Sequence, residues 1–172
     1  LKASSQELLP RILNMSSAAK VTFFATKNGL IKRTPVEEFE KKREELYDVI
    51  MEQAVAVGVG MASPQRIDEI NILQATYEAM RMAIDNLKVR PDLLLNDAVT
   101  IPEVDIKQVP IIKGDAKSIS IAAASIIAKV TRDRLMVQYE EVLPGYGFAG
   151  NKGYGSAEHI RAIRELGATP IH

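Results

Sequence analysis

The sequence predicts an α/β fold. Short apolar or β-branched runs at 21–26, 54–62, 92–98 and 109–112 read as strands, and the stretches between the later ones carry apolar residues at helical spacing. From residue 35 onward helices and strands alternate, the order that puts helices against a sheet. The 172 residues are 47% hydrophobic but only 5% aromatic, so the core must be built from Ile, Leu, Val, Met and Ala. A chain of that length buries a sizeable core without staples. The absence of cysteine excludes disulfides, Cys-ligated zinc and a Cys nucleophile, and no apolar run approaches the roughly 20 residues that span a bilayer.

Residues 5–14 have the composition of a helical turn, interrupted by Pro10. Val21–Thr26 and Leu30–Thr34 flank Lys27-Asn28-Gly29, and Asn-Gly between two such runs predicts a hairpin, because both residues tolerate positive φ. Thr34 then caps a helix with Pro35 at its first position and acids in its first turn, running to about Gln53. Ala54–Ala62 reads as a buried strand, and Ser63-Pro64 opens a turn. Ile70, Leu73, Tyr77, Met80 and Ile84 put one apolar face on a helix over Ile67–Leu87. Asp92–Ala98 is an apolar strand ending in Asn96-Asp97, Val109–Ile112 a short strand, and Ser120–Leu143 a helix. After a Gly/Tyr loop over 144–154, Ser156 caps a last helix that Gly167 ends.

Equal numbers of acidic and basic residues conceal an asymmetry: residues 1–34 hold six Lys/Arg and one acid, Glu7. A basic start favours nucleic acid; a hairpin edge protected by lysines is an equally good reading. Leu1-Lys2-Ala3-Ser4-Ser5 has neither an initiator Met nor an apolar leader, so an excised or processed chain is expected.

Few side chains have the pattern of chemistry. Asp97, at the end of an apolar strand, is costly to bury unless hydrated, hydrogen-bonded or on a metal; a strand-end acid capping the next turn is the plainer alternative. Asp115 lies in Lys-Gly-Asp-Ala-Lys-Ser, where it either offsets a helix dipole or joins Asp97. Together the two would suit Mg²⁺ or Mn²⁺, which take oxygen ligands. Tyr154 with Lys152 has the makings of a stacking and phosphate-holding pair, or of an ordinary loop packed on the last helix. Asp68-Glu69 reads as a helix start, Asp133 as an intrahelical ion-pair member, and His159 as a packing or helix-surface residue. His159 and His172 are too far apart in sequence to indicate a metal pair.

EKKREELYDVIMEQA (40–54), IDEINILQATYEAM (67–80), PDLLLNDAV (91–99), IIKGDAKSISIAAASIIAKVTRDRLM (111–136) and PGYGFAGNKGYGSAEH (144–159) resemble bacterial ribonuclease HII. The resemblance implies an RNase H-like fold, a mixed sheet flanked by helices, and cleavage of RNA in RNA–DNA hybrids or at ribonucleotides embedded in DNA. It also implies four acids on Mg²⁺ or Mn²⁺. Asp97 and Asp115 match the third and fourth of these, and Tyr154 matches the tyrosine that contacts the ribonucleotide sugar. Asn151 departs from the family's usual His. The family's opening Asp-Glu strand and Gly-Arg-Gly segment have no counterpart; the first aspartate here is Asp48. The family normally continues past the Thr169–His172 stretch into an arginine-rich segment. VTFFATKNGLIKRTPVEEF (21–39) instead resembles a blade hairpin from the DNA-wrapping domain of a gyrase or topoisomerase IV A subunit.

The expectation is therefore a chimera, a grafted hairpin over 1–39 on a truncated ribonuclease HII-like domain over 40–172, folded as one unit. Half the carboxylates are missing, so weak or absent metal binding and severely impaired catalysis are expected. The alternatives are a weak Mg²⁺- or Mn²⁺-dependent endoribonuclease and a nucleic-acid-binding module without chemistry. Weak contact with RNA–DNA hybrid or DNA, no membrane, and homodimerisation through an exposed sheet edge complete the expectations. The parent families are cytoplasmic.

Overall fold

The computed structural model describes the backbone of residues 21–26 and the whole of residues 43–172. The Asn28-Gly29 turn, the Leu30–Thr34 arm, the Thr34-Pro35 helix start and the turn expected over 5–14 lie outside the described residues. The elements in order are β1 (Val21–Thr26), α1 (Arg43–Gln53), β2 (Ala54–Gly60), α2 (Pro64–Asp85), β3 (Leu93–Asp97), β4 (Lys107–Ile111), α3 (Gly114–Lys117), α4 (Ile119–Val142), α5 (Phe148–Asn151) and α6 (Ala157–Leu166). The expected α/β organisation is present. No helix among the described residues is long and apolar enough to cross a membrane.

The chain divides into two compact units, one containing Ala62–Thr76 and Thr131–His172, the other the described part of Lys20–Met61 with Tyr77–Val130. The second holds the four strands of the described residues. β1 pairs antiparallel with β2, Val21 opposite Gly60 and Thr26 opposite Ala54, with an irregularity between Ala25 and Thr26. β3 and β4 pair in parallel, Leu93 opposite Lys107 and Asp97 opposite Ile111.

The residues of β2 alternate between two environments. Val57 and Val59 pack against Ile50 of α1 and Ala123, Ile126, Ile127 and Val130 of α4, whose spacings of three and four form one helix face. Ala56, Gly58 and Gly60 are buried on the opposite side, where α2 lies almost backbone to backbone. A Cβ added to Gly58 would stand 2.0 Å from the Ala83 carbonyl oxygen, and one added to Gly60 2.0 Å from that of Ala79. Ala79 and Ala83 are themselves fully buried, so small residues on strand and helix set the spacing. Ala83 also packs with Leu94 of β3 and with Ile101. Gln108 on β4 accepts from the Ile101 N–H at 2.8 Å and donates to its carbonyl at 2.9 Å, as a neighbouring strand would.

The helix expected over Ile67–Leu87 begins earlier and is broken. Ser63 accepts from the Arg66 N–H at 3.1 Å, capping a start at Pro64. At Asn71 the backbone turns to φ 67, ψ 165, and its side-chain oxygen accepts from the N–H groups of Leu73 and Gln74 at 3.0 and 3.1 Å. Asn71 thus caps a second helix, a role favoured for Asn, which also tolerates positive φ. The apolar periodicity runs through the break and conceals it.

In the first unit, Ser156 accepts from the His159 N–H at 3.2 Å and Gly167, at φ 87, closes α6, as the sequence predicts. The 144–154 loop carries a turn of helix, α5. Its Phe148 is wholly buried and packs with Tyr146, Met136, Ala162 and Ile163.

Candidate functional site

Ligand sites in open α/β sheets lie beyond the carboxyl ends of parallel strands. Asp97 is the last residue of β3, and Lys113-Gly114-Asp115 follows the end of β4. The parallel register therefore brings together the two acids that the sequence singles out. Asp97 Oδ1 accepts from the Gly114 N–H at 2.8 Å. Gly114 is buried, and a Cβ there would stand 3.3 Å from both Asp97 Cα and Oδ1 and 2.6 Å from Ile121 Cδ1, so the glycine sits in a tight fit against Asp97. Asp115, next in the chain, has Oδ1 on the Ala116 N–H at 2.9 Å. Both carboxylates are exposed.

Two residues flanking this corner have the left-handed backbone that non-glycine residues seldom adopt, Ala98 at φ 60 and Lys113 at φ 56. Each such residue costs of order 1–3 kcal/mol and persists where its surroundings over-determine it. Here the Ala98 N–H is bonded to the Ile111 carbonyl at 3.1 Å. The corner presents two exposed carboxylates, the oxygen donors that hard divalent cations take. Among the described residues no group of three or more acidic, His or Cys side chains is placed to hold a metal ion.

Tyr154 and Lys152 belong to the other unit. Tyr154 is 44% exposed, and the Arg132 guanidinium lies over its ring, 5.3 Å from the centroid. Lys152 takes a left-handed backbone, φ 52. Its carbonyl accepts from Arg132 Nη1 at 2.6 Å, and its ammonium donates to the Ala149 carbonyl at 2.5 Å. Arg132 is only 4% exposed. Burial lowers its pKa, with the Tyr154 and Asp133 charges acting in the opposite sense. Asn151 donates to the Tyr146 carbonyl at 2.7 Å and accepts from the Gly153 N–H at 2.8 Å. Arg132 escaped sequence reasoning, since an arginine between Thr131 and Asp133 in a polar helix segment carries no mark of burial.

The remaining candidates have structural roles. Glu69 pairs with Arg66 at 2.8 Å near the start of α2, which supports the helix-start reading. His159 is buried, as its packing reading requires. His159 and His172, distant in sequence, stack with their rings 5.2 Å apart. The Nδ1–H of His159 donates to the Tyr146 carbonyl at 2.9 Å, since a carbonyl only accepts. Nδ1 of His172 accepts from the Thr169 N–H at 3.0 Å, so in the neutral ring the proton is on Nε2. His172 in its neutral form thus has no free lone pair for a metal. Burial first, then His159, lowers the His172 pKa from 6.5 to about 4.

Residues 39–172 match the ribonuclease HII family model. The chain is 77% identical over 133 residues to the ribonuclease HII of Lachnoclostridium phytofermentans, covering 77% of this chain and 52% of that protein. It is 60% identical over 133 residues to that of Clostridioides difficile, with the same coverage of 77% and 52%. The chain spans about half the length of the curated relatives it matches. Among solved structures it is similar to the ribonuclease H2 of Pyrococcus horikoshii OT3, with a TM-score of 0.59 at 24% identity over 96% of this chain and 77% of that one. That likeness bears on the fold, which is RNase H-like.

Proposed function

Since this chain belongs to the ribonuclease HII family over residues 39–172, we propose that it is a ribonuclease HII scaffold with half of the family's carboxylate set and severely impaired cleavage. The observation that supports this reading is the hydrogen bond from the Gly114 N–H to Asp97 at 2.8 Å, which sets Asp97 beside the residue that precedes Asp115. Asp97 and Asp115 would hold Mg²⁺ or Mn²⁺, and the ion would supply charge stabilisation at a scissile phosphate. The chain's own contribution is to keep both acids exposed; Tyr154 and Lys152, in the other unit, would receive a ribose and a phosphate of an RNA–DNA hybrid or of DNA carrying a ribonucleotide.

Residues 1–39 are, in this reading, a topoisomerase-like hairpin segment joined to a ribonuclease HII-like segment over 40–172, the two folding as one unit. The antiparallel pairing of Val21–Thr26 with β2 supports a role for the first segment in covering a strand edge. Backbone pairing of that kind is largely indifferent to side chains. Where the edge is left open, a second copy of the chain pairs with it.

Titration with Mn²⁺ by calorimetry tests the metal assignment. Weak binding, with Kd in the millimolar range typical of sites with few charged ligands, is expected for the native chain, with no measurable heat for Asp97→Asn. Equal binding by both would remove Asp97 from the site.

A further inference from the structure

We propose that Arg132 and Asn151 are positioning residues that clamp the Lys152-Gly153-Tyr154 turn from two sides, presenting one fixed face of the Tyr154 ring to a ribose. This rests on the reading of Tyr154 as the sugar contact. The turn strains its backbone, with Lys152 at φ 52 followed by Gly153 at φ 75. Two side chains pin that shape. Arg132 reaches from α4 to the Lys152 carbonyl at 2.6 Å, and Asn151 ties the Gly153 N–H to the Tyr146 carbonyl through bonds of 2.8 and 2.7 Å. The Tyr154 N–H completes the turn on the Asn151 carbonyl at 2.9 Å.

The same guanidinium that holds the carbonyl covers one face of the phenol ring. A cation over one face attracts the ring's π electrons, and the tyrosine stays 44% exposed beside an arginine 4% exposed, so a ligand can reach it. Lysine does not reproduce this arrangement, because it lacks the planar fork that bonds a carbonyl while stacking on a ring. At Asn151 the donor and the acceptor act on different partners, so alanine removes both ties.

The test compares the full chain with Arg132→Lys, Asn151→Ala and Tyr154→Ala. The first readout is Tyr154 ring order by NMR relaxation. The second is discrimination, the ratio of Kd for an all-DNA duplex to Kd for the same duplex with one ribonucleotide, in Ca²⁺. Thermal melting verifies that each variant is folded. The expected result is a loosened Tyr154 ring in Arg132→Lys and Asn151→Ala, and discrimination about three- to tenfold lower in each, approaching that of Tyr154→Ala. Folded variants that keep both ring order and discrimination overturn the proposal. A native chain that does not discriminate, with a ring that loosens in both clamp variants, upholds the clamp and refutes only the sugar-contact reading of Tyr154. Asn151→Ala serves on its own if Arg132→Lys does not fold.

Discussion

His172 is held neutral inside the fold. Its ring is 2% exposed, its Nδ1 accepts from Thr169, and a second proton would put a donor against that N–H and a cation beside His159. Unfolded, the ring titrates near its ordinary 6.5; folded, near 4. Between those values the unfolded state binds more protons, so stability rises with pH. It is fully present above about 6.5 and is lost as pH falls towards 4. Melting temperature measured from pH 7 to 4 should therefore fall more steeply for the native chain than for His172→Gln, and parallel curves would refute the assignment. At this scale the places of Asp97 at a strand end, Asp115 at a helix start and Ser156 at a cap are legible in the sequence, because strand ends and helix starts leave local marks. Arg132 and the His159–His172 stack are not, because each depends on residues brought near only by folding.

β2 and α2 show how close an approach two elements can make when neither carries a large side chain. Gly58 and Gly60 leave room for the Ala79 and Ala83 carbonyls, backbone atoms of a packed helix that cannot swing aside. Gly60→Ala is expected to destabilise the protein by at least about 3 kcal/mol, the upper range for overpacking. Gly150→Ala, where a Cβ meets nothing within 4 Å, should be neutral or stabilise by about 0.5–1 kcal/mol through helix propensity. Urea denaturation of both variants checks the contrast, and equal losses would contradict it. The apolar run over 54–62 reveals a buried strand, but nothing in it says that the helix packs against its glycines. The break at Asn71 is hidden for a related reason. Hydrophobic period reports which face is buried, whereas the break depends on one residue's φ, and its mark, Asn with Gln74 three residues on, resembles any polar pair in a helix.

Over the whole molecule, the proposed reading is of an RNase H-like fold with an incomplete set of acids. The 39–172 segment carries hydrophobic clusters around α1, α2, α4 and the strand pairs, and none of them includes Asp97 or Asp115, so the packing of these clusters does not involve the two acids. Chemistry would tolerate a missing carboxylate poorly, since charge stabilisation in the transition state falls steeply with each lost group. The most direct test is cleavage of a DNA duplex carrying one ribonucleotide, in Mn²⁺, by the folded chain beside its Asp97→Asn variant and a full-length family member. Cleavage is expected to be at least about a thousandfold slower than the full-length enzyme's, with any residual activity abolished by Asp97→Asn. Cleavage at a rate comparable to that of the full-length enzyme, and dependent on Asp97, would contradict it.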